Sequence, residues 1–217
     1  MSGGHQAVFM NQRSFGEPPP TVIGQAYGGG YYVGKITQDD GIYYLVVAPK
    51  STEAFKKWKT TQSVTSGASS LYDGIANSNN LTSSVYQAAK YCTDLSEGGY
   101  TDWYLPAPYE LSIAYRNLKP TTVTNDTTVG YNNKSVPTVS NYTTYNPART
   151  SVANFQEAGG SEYFQGTDDS TYNWYWTSRY RNSSTAYAIR FRNGSLGDGI
   201  RKMDGYYNVR AFRRVPV

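Results

Sequence analysis

Three short runs of aromatic, β-branched and arginine residues lie in segment 174–217, with turn residues between them. The runs are Tyr175–Ser178, Ala186–Phe191 and Tyr207–Phe212. Residues of these types favour strands, and the Gly, Asn, Ser and Asp that separate the runs favour turns. Because successive side chains of a strand point to opposite faces of the sheet, the middle run is divided between two faces. One face holds Tyr187, Ile189 and Phe191, and the other, which we expect to be displayed, holds Ala188, Arg190 and Arg192.

Positive charge is concentrated in the same segment. From Trp174 onward nine Lys or Arg accompany two Asp, whereas the preceding 173 residues carry eleven basic against fourteen acidic residues. The formal net charge of +4 therefore combines a positive end with a slightly negative remainder. A summed positive field attracts anions such as acidic glycans, lipopolysaccharide phosphates or nucleic acid, but it does not select one of them.

Aromatic rings must supply much of the core. Only 38% of the 217 residues are apolar, but 22 Tyr, 7 Phe and 4 Trp are present, and each buried ring removes on the order of 150–250 Å² from water. The length suits one domain with a short arm. Tyr, Ser, Gly and Asn are also the residues of adaptable binding surfaces. The alternative interpretation, in which tyrosine simply decorates a β-rich surface, carries equal weight.

Few residues suit catalysis or metal binding. The lone Cys92 follows an apolar stretch and is predicted to be a small buried hydrophobe on a helix. The lone His5 lies near the start of the chain, so a His-dependent triad or a His-rich metal site is not expected within the domain. The adjacent carboxylates Asp39-Asp40 and Asp168-Asp169 are interpreted as solvated turns. We predict no cofactor, no metal and no enzymatic activity.

The first 23 residues are predicted to form an extended arm. The arm is polar, rich in Gly and ends in Pro18–Pro20, which favours an extended conformation. Its apolar residues suggest docking onto another protein, with a disordered start as the alternative. The candidate attachment residues are Val8, Phe9, Met10 and Phe15. Since the arm lacks a secretory signal pattern and the chain lacks a long apolar stretch, we expect synthesis as a soluble cytosolic product without membrane insertion.

Four further elements are predicted between the arm and segment 174–217. Tyr31–Ile36 and Ile42–Ala48 read as a β-hairpin around an Asp-Gly turn. One helix is expected from Ser83 or Ser84 to Leu95, and a second from Pro108, which suits the first turn, to Leu118. The Thr/Asn/Ser-rich residues 121–149 are predicted to be a long surface excursion.

Several motifs, in the same order along the chain, resemble those of the Lcl C-terminal-like domain family. They are Gly28–Gly34, Leu45–Lys50, Asp73–Asn77, Gly98–Pro106, Tyr109–Leu111, Tyr175–Ser178 and Val209–Arg214. The resemblance covers about 24–217. It implies a C-type-lectin-like fold, which is an α+β arrangement of antiparallel sheets with two helices and long surface loops.

The resemblance also indicates in which kind of proteins such a domain occurs and which activities are not expected of it. Members with segments like Tyr115–Pro120 and Val215–Val217 resemble tail-fibre or other structural proteins of phages and prophages. The oxidase branch of this fold needs a reactive cysteine pair or copper-binding cysteines, whereas this chain has only Cys92. The calcium-ligand motifs of sugar-binding lectins do not occur in the sequence.

Several residues of these motifs are interpreted structurally. Trp103 is expected to be buried, and Asp102 to accept hydrogen bonds from nearby backbone N–H groups. Glu110 is expected to pair with an arginine. As a lone carboxylate it lacks the second carboxylate that glycosidase chemistry requires. Arg210 is expected to make framework salt bridges, as is Arg213, while Val209 and Phe212 pack inward. A displayed binding role for Arg210 remains the less favoured alternative.

The leading hypothesis is a phage virion protein, a tail fibre or adhesin that binds a host-surface glycan or protein through the face formed by residues 174–217. The predicted receptor-binding residues are Arg179, Tyr180, Arg181, Asn182, Ser183, Arg190, Arg192, Asp198, Arg201, Met203, Tyr206 and Tyr207. The arm would attach the chain to other virion proteins, and multivalency favours a homotrimer. The alternatives are a structural virion subunit, in the head decoration, collar or baseplate, and a glycan depolymerase. Nucleic-acid binding ranks behind these and is not expected.

Overall fold

The first sheet joins the early hairpin to the end of the chain. The computed structural model describes residues 17–166, 173–201 and 205–217. The five strands of this sheet are β1 (Ala26–Tyr27), β2 (Gly30–Gln38), β3 (Gly41–Val47), β5 (Ser135–Val136) and β10 (Phe212–Pro216). β2 and β3 form the predicted hairpin around Asp39-Asp40, and β10 lies antiparallel to β3 with Arg214 opposite Leu45. The short strands β1 and β5 both pair with β2.

The second sheet is built mainly from segment 174–217. In spatial order its strands are β4 (Ala54–Lys56), β9 (Tyr207–Val209), β6 (Trp174–Tyr180), β7 (Thr185–Arg190) and β8 (Leu196–Arg201). All neighbours are antiparallel except β6 and β9, which pair in parallel at Tyr175 and Asn208. β6 and β7 confirm the predicted strands. β8 was not predicted, because its two glycines lower the strand propensity of the segment.

The prediction of one continuous strand over Tyr207–Phe212 is wrong. Tyr207–Val209 belongs to the second sheet, and Phe212 begins β10 in the first sheet. The break falls at Arg210, whose buried guanidinium donates to the carbonyl oxygen of Ala48 at 2.8 Å and to that of Glu162 at 2.7 Å. These distant acceptors hold the chain where it crosses from one sheet to the other, and local strand propensity contains no sign of them.

Three helices, rather than the predicted two, occur in the described ranges. α3 (Pro108–Leu118) has the predicted bounds and a buried face that includes Leu111, Ala114, Tyr115 and Leu118. α2 (Gln87–Thr93) begins later than predicted, because residues 83–86 form a turn in which Tyr86 donates to Ser83. The missed helix is α1 (Gly74–Asn79), whose Gly, Asn and Ser residues have low helix propensity. It is capped by the Asp73 side chain, which accepts from the backbone N–H of Ala76 at 2.9 Å.

The core consists of two clusters that meet at β7. The first surrounds Trp58, Trp103 and Trp176 and includes the fully buried Cys92. The second is largely aromatic, and the rings of Phe164 and Phe191 stack in it with centroids 4.0 Å apart. The predicted framework residues are buried, namely Tyr175, Trp176, Ile189, Phe191, Val209 and Phe212.

The predicted division of β7 into a packed and a displayed face is wrong for two residues. Ala188 is fully buried in the first cluster, whereas Tyr187 is only half-buried. The pairing of β7 with β8 shifts register between Ala186 and Ala188, and the strand contributes to one core cluster on each face. A strand covered on both faces does not follow the simple alternation of a half-buried one.

The long excursion of residues 121–149 is more ordered than the sequence predicted. Its Asn125 side chain is buried and donates to the carbonyl oxygens of Thr143 and Pro147, both at 2.9 Å. The Asn125 Oδ1 accepts from the Tyr115 hydroxyl at 2.6 Å and from the Lys119 ammonium at 2.7 Å. One buried amide therefore ties both ends of the excursion to α3.

The described part of the predicted arm lies against the domain. Glu17 Oε2 accepts from the backbone N–H of Gly28 at 2.7 Å, and Pro20 is buried. Ile23 packs against both core clusters. The candidate attachment residues Val8, Phe9, Met10 and Phe15 lie outside the described residues. The fold is α+β with mostly antiparallel sheets, and no helix in the described ranges combines the length and apolarity required to cross a bilayer.

Candidate functional site

The predicted receptor-binding residues do not form one patch. Asn208 pairs with Tyr175 near the start of β6, whereas the turn of residues 181–184 follows its end. The seven residues of β6 span roughly 20 Å at the usual rise of a strand. Tyr206 and Tyr207 therefore lie near one end of β6 and the turn lies at the other.

The turn between β6 and β7 is exposed and shaped by its own side chain. Arg181, Asn182 and Ser183 are exposed, as predicted. The Asn182 Oδ1 accepts from the backbone N–H groups of Ser184 and Thr185, both at 2.9 Å. Asn182 therefore serves the geometry of the turn, and Arg181 and Ser183 are the better candidates for ligand contact.

The far end of β8 lies beside this turn. Arg201 pairs with Thr185, and the backbone of β8 also carries Asp198. The structure describes these two predicted residues by backbone position alone, and the predicted Met203 lies outside the described residues. The pairing register therefore places the end of β8 beside the turn of residues 181–184. A binding face that includes both the turn and β8 requires this proximity.

Arg179 lies at the margin of an open cleft formed by described residues. Its guanidinium carbon lies 4.4 Å from the ring centroid of Tyr187, and its Nε donates to the carbonyl oxygen of Ser69 at 2.8 Å. The cleft has a volume of about 550 Å³. Two contacts on two different elements hold the guanidinium in place, so this cation is positioned before any ligand arrives.

The opposite wall of the cleft carries a neutralised charge pair. Lys134 Nζ lies 3.1 Å from Asp39 Oδ1 and 4.0 Å from the ring centroid of Tyr72. The Tyr72 hydroxyl contacts both oxygens of Asp39, at 3.3 and 3.2 Å. The hydrogen bonds from Lys134 and Tyr72 lower the pKa of Asp39, so its carboxylate balances the charge of Lys134. Of the two cations that line the cleft, Lys134 is paired with a carboxylate, whereas Arg179 forms no ion pair with a carboxylate of the described residues.

The remaining lining groups are hydrogen-bonding and small. Ser69, Ser70 and Asn133 provide polar atoms, and Tyr109 provides a half-buried ring. The described residues that line the cleft include no Asp, Glu, His or Cys. Such a lining can hold an anionic or hydroxyl-rich ligand, and its described residues contain no pair of carboxylates.

Four predicted receptor-binding residues are less displayed than expected. Tyr180 and Tyr207 are half-buried against the first core cluster, and the Tyr207 ring meets Trp176 edge-on at 4.8 Å. Arg190 is half-buried and its Nε donates to Asn173 Oδ1 at 3.0 Å, while Arg192 is also half-buried. The prediction that Tyr180, Tyr207 and Arg190 simply face outward is wrong, because the core and its flanking loops cover part of each side chain.

Tyr206 belongs to a second depression, which the sequence did not predict. Its ring is 48% exposed and stacks on Phe55 with centroids 6.0 Å apart. Both rings line a groove of about 360 Å³ between β4 and α2. The run from Phe55 to Trp58 is the sequence feature that could have indicated this groove. Only the pairing of β4 with β9, however, brings Phe55 next to Tyr206.

The motif residues interpreted structurally are part of the framework. Trp103 is buried, as predicted. Asp102 differs from its prediction, because its two oxygens accept from Nε and Nη2 of Arg213 at 2.8 and 2.9 Å rather than from backbone N–H groups. Arg210 pairs with Glu162 at 2.8 Å, which confirms its predicted framework role. The pairing of Asp102 with Arg213 could not be predicted from local sequence, because the two residues are far apart in the chain.

Glu110 is a fully buried carboxyl that joins two helix starts. Its oxygens accept from the backbone N–H groups of Ala107 and Gly74 at 2.7 and 3.1 Å and from the Tyr104 hydroxyl at 2.7 Å. The predicted arginine partner is Arg214, whose Nε lies 3.9 Å from Oε1. Burial raises the pKa of Glu110 to about 7, against the opposing effects of Arg214 and these hydrogen bonds. Its full burial places it out of reach of a substrate.

The thiol and the carboxylates of the described residues do not assemble into a metal centre. Within the described ranges, no group of three or more His, Cys, Asp or Glu side chains is arranged to hold an ion. Burial raises the pKa of the Cys92 thiol well above its usual value, so the thiol is kept protonated inside the first core cluster.

Comparisons with known proteins assign no family. No protein-family model matches the chain, and no curated protein sequence matches it. Among solved structures, a fimbrial protein from Bacteroides ovatus ATCC 8483 is similar over 78% of this chain, with 17% sequence identity and a TM-score of 0.43. The chain spans 35% of the length of that protein.

Proposed function

We propose that this chain is a non-catalytic phage virion protein, a tail fibre or adhesin that contacts a receptor on the host surface. The observation that carries the proposal is the position of Arg179, held by Tyr187 and Ser69 at the margin of an open polar cleft. The exposed residues Arg181 and Ser183 follow in the adjacent turn. Together they replace the larger predicted set as the receptor-contacting residues.

The chemistry of the cleft supports binding rather than turnover. A guanidinium already fixed by two contacts loses little freedom when it binds a ligand, so more of the interaction is retained as affinity. A volume of about 550 Å³ falls within the range of small-molecule and saccharide-sized sites. Arg179 suits a carboxylate or phosphate, and the serine and asparagine groups suit hydroxyls. A host-surface glycan or a polar protein loop offers both.

The wider setting belongs to the same proposal. The antiparallel sheets and long ordered loops support a C-type-lectin-like fold, as the motif resemblance implies. The arm would attach the chain to other virion proteins, and assembly as a homotrimer would raise a weak single-site affinity. The protein would then be located on the virion, with no role for nucleic acid or a membrane.

Binding of the purified protein to host cells tests the proposal. We expect Arg179→Ala to weaken binding of the fluorescently labelled protein to host cells by about tenfold, since a charge-assisted contact is lost. Arg149→Ala is the matched control, because Arg149 is exposed and lies in the excursion of residues 121–149. Equal binding by both variants and the unaltered protein would contradict the assignment of the cleft.

Locating the chain in a particle separates the receptor-binding hypothesis from the structural alternative. Gold-labelled antibody should mark the tip of a fibre in electron micrographs of intact particles. Label confined to the head, collar or baseplate would instead support a structural virion subunit that binds other virion proteins.

A further inference from the structure

The groove between β4 and α2 combines a flat aromatic surface with a local excess of positive charge. Phe55 and Tyr206 stack with an angle of 22° between their rings, and they remain 37% and 48% exposed. Exposed aromatic surface favours binding, because a ligand that packs on it removes apolar area from water. The pair therefore presents an apolar platform of the kind that packs against the C–H face of a sugar ring.

The neighbouring Tyr91 extends the platform along α2. Its hydroxyl donates to the carbonyl oxygen of Thr52 at 2.7 Å, which fixes the ring against the segment before β4. The Lys56 ammonium lies 5.2 Å from the Tyr91 centroid, and the Lys57 ammonium lies 5.3 Å from the Tyr206 centroid. Two of the three rings, those of Tyr91 and Tyr206, thus each have a lysine ammonium near the ring.

The charge of the groove is unbalanced. Lys90 forms an ion pair with Asp94, so these two side chains neutralise each other. Neither Lys56 nor Lys57 forms an ion pair with a carboxylate of the described residues. Two ammonium groups therefore remain to attract an anionic ligand, and Ser84 and Gln87 add neutral hydrogen-bonding groups to the lining.

These features favour an acidic saccharide over a nucleic acid. Single-stranded nucleic acid binds along a continuous basic track that neutralises successive phosphates. Here the excess positive charge is limited to Lys56 in the lining and Lys57 beside the Tyr206 ring, which is too few cations for a continuous track. A sugar that carries one carboxylate per ring needs fewer cations and uses the neutral groups for its hydroxyls.

We propose that the groove formed by Phe55, Tyr91 and Tyr206 with Lys56 and Lys57 binds a carboxylated saccharide, with a sugar face on the rings and a carboxylate at the lysines. The inference goes beyond the proposed function. Apart from Tyr206, its residues lie outside segment 174–217, and saccharide binding at this groove does not require that Arg179 contact a receptor.

Calorimetric titration with defined sugars tests the proposal. The probes are a galacturonic acid trisaccharide, the neutral maltotriose and a short thymidine oligonucleotide, each added to the full-length protein. We expect the acidic trisaccharide to bind about tenfold more tightly than maltotriose, because only the former pairs with the lysines. Affinity for the acidic sugar should fall as salt concentration rises.

Two variants identify the site. Lys56→Gln/Lys57→Gln removes both positive charges while keeping polar side chains, and it should weaken binding of the acidic trisaccharide about fivefold or more while leaving maltotriose unaffected. Tyr206→Ala should weaken binding of both sugars, since it removes half of the platform. Lys134→Gln, in the other cleft, is the control and should change neither. Thermal unfolding of each variant confirms that it is folded.

Three results would overturn the inference. They are the absence of measurable binding of the acidic trisaccharide, binding that the double lysine variant leaves unchanged, and tighter binding of the oligonucleotide through the same residues. None of them bears on whether Arg179→Ala weakens binding to host cells, so the two proposals fail separately.

Discussion

Arg213 donates two parallel hydrogen bonds to Asp102, from Nε to Oδ1 at 2.8 Å and from Nη2 to Oδ2 at 2.9 Å. The same guanidinium lies 3.7 Å from the ring centroid of Tyr100 and donates to the carbonyl oxygen of Gly28 at 3.0 Å. Asp102 therefore joins strand β10 to the segment between α2 and α3. These contacts give Asp102 a structural role.

Replacing Arg213 should lower the free energy of unfolding more than replacing Asp102. Arg213→Lys loses the paired geometry, the ring contact and the Gly28 contact, and we expect the free energy of unfolding to fall by about 2 kcal/mol. Asp102→Ala should cost about 1 kcal/mol or less, since the carboxylate is largely exposed to water. Urea denaturation of both variants measures the difference. An equal or larger loss for Asp102→Ala would show that the ion pair, rather than the contacts around Arg213, dominates.

The pair of the fully buried Arg210 and the largely buried Glu162 should be far more sensitive to loss of one partner. Glu162→Leu leaves the Arg210 guanidinium buried without its carboxylate, and the backbone N–H of Lys50 loses its acceptor at 2.7 Å. We expect the free energy of unfolding to fall by about 3–5 kcal/mol. The exposed Arg149→Ala should change it by less than about 0.5 kcal/mol. Urea denaturation gives both values, and a loss below 1 kcal/mol for Glu162→Leu would contradict the importance of the pair.

Glu110 should make stability depend on pH in a defined window. Burial raises its pKa from an ordinary 4.5 to about 7. Between these values the folded protein keeps a proton that the unfolded chain has released, so the free energy of unfolding falls as the pH rises. Below the window both states are protonated, and above it both are ionised.

The variant Glu110→Gln isolates this contribution. Since Gln does not titrate, the variant should show a shallower fall in the free energy of unfolding across the same window, whatever its absolute stability. Urea denaturation at a series of pH values from 4.5 upward compares the two slopes, and the other carboxylates cancel because both proteins contain them. Identical slopes would mean that the pKa of Glu110 is not raised in the folded state.

The elements that the sequence predicted are those whose signals are local. The hairpin of β2 and β3 combines strand-forming runs with a short Asp-Gly turn, and α3 begins at Pro108 and carries a regular apolar face. Trp176 and Phe191 were assigned to the framework because large rings in strand runs are usually packed. In each case, residues within one element contained the information.

The missed features depend on partners that are distant in the chain. The break at Arg210 requires Glu162, and the Phe55 platform requires Tyr206, which β4 and β9 bring together. Arg179 was selected for its type, but its cleft is lined by residues from the segment near Ser69. Alternation along β7 failed because core lies on both of its faces, which no single strand pattern reveals.

The excursion of residues 121–149 was predicted to be surface loop because its residues are polar and lack a period, yet its order depends on one buried amide. Asn125→Ala removes five hydrogen bonds at once, those with Tyr115, Lys119, Thr143 and Pro147 and a long one of 3.5 Å to Thr144. The Lys119 ammonium keeps its contact with the carbonyl oxygen of Val123 and a longer one of 3.3 Å to that of Pro147. We therefore expect local opening of the excursion before the rest of the domain unfolds.

Hydrogen exchange measures this opening segment by segment. In Asn125→Ala, amides of the excursion that are bonded internally, such as that of Tyr142 to Val129, should exchange at least about tenfold faster, because the buried partners of Asn125 lose a contribution of 1–3 kcal/mol. Amides of the hairpin formed by β2 and β3 should be nearly unaffected. Asn133→Ala, in the same excursion, is the matched control, since Asn133 is exposed. Uniform acceleration across the domain would show instead that the excursion and the sheets open together.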